Sequence, residues 1–137
     1  MIRRVLLLFG FVLVFLAAGT LLHAGGSHSE PACWDGLDEV NALRASRGLP
    51  PFSYDPDLAR AAGSCARWRA YYRCQGHTSN DFAALPEGSF ASAAGCAAWP
   101  PEFGWGSCCS FENWTYAGAA WVMGRDGRRY MHLFVRN

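Results

Sequence analysis

The sequence predicts one α+β domain with two N-terminal helices, a disulfide-rich irregular middle and a C-terminal β-hairpin. Three patterns lead to this prediction. Apolar residues recur at helical spacing between residues 35 and 72, the periodicity is lost over residues 75–116, and an Asp-Gly turn separates two apolar runs near the end. The length of 137 residues leaves room for one domain, and a composition that is 51% hydrophobic excludes a disordered chain.

Residues 1–24 are predicted to form a signal peptide. Arg3 and Arg4 supply a positive start, residues 5–18 are apolar apart from one glycine, and small residues follow, which is the order of a secretory leader. With the two leucines that come next, the apolar run reaches about eighteen residues, the lower limit for a membrane span. A retained N-terminal anchor therefore stays open as the alternative.

Both interpretations place the rest of the chain outside the cytoplasm. Residues 25–34 begin with Gly and Ser and are interpreted as a linker, and residues 35–137 are predicted to form the domain. We therefore expect a protein that is secreted or held in the cell envelope. It would meet a membrane only through its N-terminal segment, if that segment is retained.

Two helices are predicted at the start of the domain. The first begins at Asp35, with acidic residues leading, and ends at Gly48 and the two prolines that follow it. The second begins at Asp55, an N-cap candidate that is followed by Pro56 in the first turn. One apolar stripe runs along this second helix, with the members Leu58, Ala62, Cys65, either Trp68 or Arg69, and Tyr72.

The rest of the domain divides into an irregular segment and a hairpin. Residues 75–116 carry no clear period, and a segment of that length is either functional or held by cross-links. Within it, residues 91–98 favour a short helix or a packed loop. At the end, residues 116–124 and 128–136 flank Asp126-Gly127, a strong signal for a two-residue hairpin turn.

Six cysteines follow the leader, and their even number in an exported domain predicts three disulfides. Sequence does not choose among the fifteen possible pairings. A zinc site is not predicted, because no C-x-x-C occurs and the one close pair is vicinal. A redox-active thiol pair at Cys108 and Cys109 stays open as an alternative. The six residues are Cys33, Cys65, Cys74, Cys96, Cys108 and Cys109.

The charge distribution excludes nucleic acid as a partner. The formal net charge is +1, whereas nucleic-acid-binding proteins usually carry a clear basic excess. No arginine lies between Arg73 and Arg125, and the acidic residues of that interval are Asp81, Glu87, Glu102 and Glu112. We expect a site in this acidic, aromatic middle to suit a cation or a cationic group better than a phosphate.

Four segments resemble bacterial members of the CAP superfamily, which covers cysteine-rich secretory proteins, antigen 5 and plant pathogenesis-related proteins. Residues 40–51 (VNALRASRGLPP) and 54–59 (YDPDLA) resemble the opening of these domains. Residues 77–79 (HTS) resemble the segment after their second helix, and residues 114–120 (WTYAGAA) resemble a late strand. The resemblance implies a CAP-like (SCP-like) α-β-α sandwich over most of residues 35–137.

The same resemblance implies a cavity around His77, and Glu87 is the candidate for its acidic partner. The chain departs from the family pattern because the second histidine, expected near residues 105–109, is missing. The domain is therefore interpreted as a divergent, shortened member. His132 alternates with Tyr130 and Phe134 on the last strand, and we interpret it as a packed strand residue.

Together these features favour a non-catalytic binding module without cofactor or metal, for a small ligand, a lipid or a protein partner. The alternative is a degenerate hydrolase or metal-dependent enzyme that uses a cleft around His77 and Glu87. In such an enzyme Cys108 or Cys109 would pair with the histidine. A third possibility is a structural module tethered to the envelope by its retained leader.

Overall fold

The computed structural model describes residues 32–137, so the predicted leader and most of the predicted linker lie outside the described part. Within that part the α+β class is confirmed, since two α-helices accompany a sheet whose long strands are antiparallel. None of the helices over residues 32–137 is long and apolar enough to cross a membrane.

Five strands form one sheet in the order β1-β4-β5-β3, and the short β2 pairs with β4 in parallel. Strand β5 is flanked on both sides, by β4 and by β3, which explains why it is buried along nearly its whole length. The strands are β1 Cys33–Asp35, β2 Ser53–Tyr54, β3 Ala93–Trp99, β4 Tyr116–Met123 and β5 Arg129–Arg136.

Strands β4 and β5 form the predicted hairpin, but the predicted two-residue turn is wrong, because residues 124–128 separate the two strands. Their register runs from Tyr116 opposite Arg136 to Met123 opposite Arg129. The turn closes through a hydrogen bond of 2.8 Å from the backbone N–H of Gly124 to the carbonyl of Arg128. Gly127 has a φ of 76°, a conformation that glycine adopts without a steric cost.

Helix α1, Leu37–Ala45, covers one face of the sheet. It begins two residues after the predicted start, because Asp35 accepts a hydrogen bond of 2.8 Å from the backbone N–H of Leu37 and so acts ahead of the first turn. Leu37 and Val40 pack with Trp105 and with the apolar residues of β4 and β5 that point to this face, namely Ala117, Ala119, Met131, Leu133 and Val135.

Helix α2, Pro56–Tyr72, covers the opposite face. Asp55 caps it as predicted, accepting hydrogen bonds from the backbone N–H groups of Asp57 and Leu58. The helix ends where Arg73 adopts a left-handed conformation with a φ of 55°. The sequence left open whether Trp68 or Arg69 lies on the stripe that faces the core. In the structure Arg69 is buried and Trp68 is exposed. Leu58, Ala62 and Cys65 pack against Ala120 and Phe134 of the sheet.

The prediction of a short helix or a packed loop over residues 91–98 is wrong, because residues 93–98 belong to strand β3. Alanine favours a helix when a segment is taken by itself. Here seven consecutive residues pair with β5, from Ala93 opposite Val135 to Trp99 opposite Arg129. Pairing with a buried central strand therefore outweighs the local preference.

Candidate functional site

The HTS segment leads into a single 3₁₀ turn, Asp81–Ala84, and its first residue carries a buried carboxylate. One oxygen of Asp81 accepts hydrogen bonds from the backbone N–H of Thr78, at 2.9 Å, and from the Thr78 hydroxyl. The other oxygen lies 2.5 Å from Nδ1 of His77. Burial raises the pKa of Asp81, but the hydrogen bonds from Thr78 and His77 outweigh it, so this pKa lies below its ordinary value.

The second ring nitrogen of His77 points toward a thiol. Its Nε2 atom lies 4.0 Å from Sγ of Cys108, and Cys108 is exposed. Asp81, His77 and Cys108 thus stand in the order carboxylate, imidazole, thiol. A carboxylate on Nδ1 holds the proton there and leaves Nε2 free to accept the thiol proton.

Strand β5 brings a second histidine to the same carboxylate. The Nε2 atom of His132 lies 3.8 Å from Oδ2 of Asp81, and the two imidazole rings of His77 and His132 stand 6.2 Å apart. The His132 side chain is completely buried. Burial lowers the pKa of His132 to about 3, so its imidazole is neutral near pH 7.

Helix α2 adds a buried thiol to this group. Sγ of Cys65 lies 3.6 Å from the backbone carbonyl oxygen of Asp81. Burial, together with the nearby Asp81 carboxylate, raises the pKa of Cys65 to about 12. One ligand-type atom each from Cys65, Asp81 and His132 lies within 4.8 Å of the other two.

Glu87, the predicted acidic partner of His77, is an exposed residue between the 3₁₀ turn and β3. Within residues 32–137, no hydrogen bond or ion pair joins the two side chains, and the carboxylate at His77 is that of Asp81. A shared cavity of His77 and Glu87 therefore stays a prediction.

Sequence reasoning missed Asp81 and His132 as site residues. The signal for Asp81 is its position four residues after His77, within reach of the Thr78 backbone. The signal for His132 is a titratable residue within the otherwise apolar residues 130–135 of β5. Its interpretation as a packed strand residue agrees with its burial but overlooks the carboxylate it faces.

All six cysteines are free thiols in the structure, so the predicted three disulfides are not confirmed. The vicinal pair lies beside β3, with Sγ of Cys108 and Sγ of Cys109 each 3.6 Å from the carbonyl oxygen of Ala94. Burial raises the pKa of Cys109 to about 12, whereas Cys108 is exposed.

An aromatic groove of about 710 Å³ lies between α1 and the irregular segment, with Cys108 among its lining residues. Its walls include Leu43, Trp99, Phe103, Trp105 and Phe111. The indole N–H groups of both tryptophans are bonded within the protein, to Gly104 and to Ser107 and Ser110. The groove therefore offers mainly apolar ring surface.

Arg47 is the charged residue among the described residues that line this groove. Its guanidinium carbon stands 3.6 Å from the centre of the Phe111 ring. The expectation that a site in the acidic middle suits a cation does not extend to this groove, because Arg47, in the turn that follows α1, brings a positive charge to it. The sequence did not show this contribution, because Arg47 is far along the chain from the acidic middle that forms most of the groove.

The family model described as "CAP: Cysteine-rich secretory protein family" matches residues 37–132. The chain belongs to the CAP family. The matched range of this CAP domain begins with α1 and ends at His132, so it contains His77, Asp81 and the groove. Searches of curated proteins and of solved structures found no match.

Proposed function

We propose that this CAP domain is a binding module for a small amphipathic molecule with an apolar chain and an acidic head group, such as a long-chain fatty acid. The aromatic groove carries this proposal, because a volume of about 710 Å³ is typical of small-ligand pockets and its walls are largely apolar. Binding an apolar chain against these aromatic walls removes apolar surface from water, and the free energy of binding becomes more favourable in proportion to that area.

The position of Arg47 defines the head group. Its guanidinium is stacked on Phe111 at the groove, where it can donate hydrogen bonds to a carboxylate. A ligand whose chain lies against Trp99 and Phe103 would place an acidic group beside it. This is the lipid alternative among the partners expected from the sequence.

We propose further that the domain is exported, either released after cleavage of residues 1–24 or held at the envelope by them. The charged, apolar and small-residue order of that segment supports export. The four segments that resemble bacterial CAP proteins support a bacterial origin of this domain. The missing second histidine supports its interpretation as a divergent member of the family. N-terminal sequencing of the exported protein tests cleavage, and an intact Met1-Ile2-Arg3 start would establish the anchored form.

A fluorescence titration of the full chain with palmitate tests the ligand. Two tryptophans line the groove, so binding is expected to change the intrinsic emission. Phe103→Ala is expected to weaken binding at least about tenfold, because burying an aromatic ring contributes roughly 1.5–3 kcal/mol. Trp34→Ala is the matched control, since Trp34 stacks on Trp121 at 5.8 Å and does not line the groove.

The head group is tested with Arg47→Ala and two ligands of equal chain length. The variant is expected to lose affinity for palmitate but not for hexadecanol, which has no carboxylate. An equal loss for both ligands would contradict the proposed head group. Absence of saturable binding of either ligand to the folded chain would contradict the module as proposed.

A second candidate function is acyl transfer by Cys108, and the order Asp81, His77, Cys108 favours it. His77 would take the thiol proton while Sγ attacks an ester carbonyl carbon, forming a thioester. The same histidine would return the proton to the departing alcohol. Water would then hydrolyse the thioester, releasing the acid and the free thiol.

Hydrolysis of p-nitrophenyl acyl esters by the reduced full chain tests this candidate. Cys108→Ala is expected to lower the rate at least about a hundredfold, since it removes the nucleophile. Cys109→Ala is the control, because this neighbouring thiol is not in contact with His77. Equal rates for the wild type and Cys108→Ala would exclude this candidate.

A further inference from the structure

We propose that Cys65, Asp81 and His132 form a binding site for one divalent cation of the zinc type. The three residues come from helix α2, from the 3₁₀ turn and from strand β5, and all three are buried. One ligand-type atom of each lies within 4.8 Å of the other two. The site goes beyond the ligand groove, because none of the three residues lines it.

An unpartnered imidazole is the independent observation that indicates a ligand here. His132 is completely buried, and neither of its ring nitrogens has a hydrogen-bond partner among the described residues. Buried polar atoms are nearly always paired, so two orphaned nitrogens on one ring need an explanation. A metal ion bound by Nε2 would satisfy the nitrogen that faces Asp81.

The spacing fits an ion better than a direct contact. Nε2 of His132 lies 3.8 Å from Oδ2 of Asp81, which is too long for a hydrogen bond. Ligands about 2.0–2.3 Å from a tetrahedral zinc ion stand roughly 3.5 Å from one another. The observed separation is therefore close to that of two ligands on one ion.

The ligand chemistry selects the class of cation. Sulfur, imidazole nitrogen and carboxylate oxygen are the three donors that zinc takes in proteins, whereas calcium and magnesium take oxygen. Binding replaces the Cys65 thiol proton with the metal and releases that proton to solvent. The thiolate and the Asp81 carboxylate together neutralise the two positive charges, so no net charge is buried.

His77 and Thr78 hold the carboxylate ligand in place. Thr78 donates to one oxygen of Asp81 from its backbone and its hydroxyl, and His77 contacts the other oxygen at 2.5 Å. Outer partners of this kind orient metal ligands, and their loss typically weakens metal affinity about 10- to 100-fold. His77 is thus a positioning residue for this site.

A cobalt titration of the reduced, chelator-treated full chain tests the site, with Co²⁺ as a coloured substitute for Zn²⁺. One equivalent is expected to bind and to produce a near-ultraviolet sulfur-to-cobalt charge-transfer band. Cys65→Ser is expected to abolish the band, and Cys33→Ser, the matched control outside the cluster, to retain it. His77→Gln is expected to keep the band but bind Co²⁺ about 10- to 100-fold more weakly.

Circular dichroism of each variant establishes that it is folded. If Cys65→Ser does not fold, a Cys108→Ser/Cys109→Ser variant decides whether the band comes from the vicinal pair. The proposal is overturned if folded wild-type protein binds no Co²⁺, or if the band survives in Cys65→Ser. It is also overturned if the band disappears with the vicinal pair, or if Cys65 is recovered from native protein in a disulfide. Failure to bind palmitate would contradict the proposed ligand groove and not the metal site, because none of the three metal ligands lines the groove.

Discussion

The Nη1 atom of Arg69 lies 2.6 Å from the carbonyl oxygen of Met131, so a buried guanidinium joins helix α2 to the central strand β5. The same side chain donates to the carbonyls of Gln75 at 2.6 Å and Gly76 at 2.9 Å. These two residues precede His77 directly. One arginine therefore holds together the helix, the sheet and the segment that carries the candidate site.

Arg69→Ala is expected to lower the free energy of unfolding by more than about 3 kcal/mol. The change leaves buried carbonyl groups without a donor and opens a cavity under the helix. Urea unfolding followed by circular dichroism measures the effect. Arg60→Ala is the control, because Arg60 pairs with Asp57 on the surface and exposed pairs contribute less than about 1 kcal/mol. Similar losses for both variants would contradict the role of Arg69.

Gly118→Ala is expected to destabilise the domain by about 1–3 kcal/mol, the usual cost of overpacking a core. A methyl group at Gly118 would overlap the backbone of Leu58 and Ala59 in helix α2, and backbone atoms cannot turn aside as the end of a flexible side chain can. Thermal unfolding measures the change. Gly76→Ala is the control, because a methyl group there meets no atom within 4 Å and its φ is not positive. A neutral Gly118→Ala would show that α2 does not pack this closely.

Stability measured with a chelator present is expected to fall as the pH drops from about 6.5 to about 3. Burial lowers the pKa of His132 to about 3, against an unfolded value of about 6.5. Between these values the unfolded chain binds one more proton, so stability rises with pH by up to about 1.4 kcal/mol per unit. The lowered pKa of Asp81 acts in the same direction, since its contribution is lost as pH falls through the folded value.

Urea midpoints collected across that interval measure the slope. His132→Gln is expected to have a flatter dependence, because it removes a group that the unfolded chain protonates in this interval and the folded chain does not. A slope unchanged by this substitution would contradict a buried neutral imidazole.

Alkylation of the reduced, folded chain is expected to modify Cys108 before Cys65. Cys108 is exposed, whereas burial raises the pKa of Cys65 to about 12 and leaves little reactive thiolate near pH 7. Timed reaction with iodoacetamide followed by mass spectrometry measures both rates. Faster modification of Cys65 would contradict its burial under α2.

The same reaction on protein that has never been reduced tests the three predicted disulfides. Recovery of six alkylated cysteines after rapid denaturation would exclude them. Recovery of none would support them, and would at the same time overturn the metal site, which requires Cys65 as a thiol.

Much of the fold was predictable because its signals are local. The cap at Asp55, the Asp126-Gly127 turn and the apolar spacing of α2 act within a few residues, so they are visible in the sequence. Strand β3 was not predictable in this way, because its alanines form a strand only when β5 lies beside them.

By itself, the sequence determined the α+β class and the CAP resemblance, and it singled out His77 as a candidate site residue. The tertiary structure alone decided that Cys108 and His132 lie beside that histidine, since they reach it from a loop and a strand that are distant from it in the chain. Contacts between distant segments follow from how a sheet and its helices pack, and no local spacing encodes them. The carboxylate that contacts His77 is a local neighbour instead, because Asp81 lies four residues along the chain, whereas the sequence singled out Glu87.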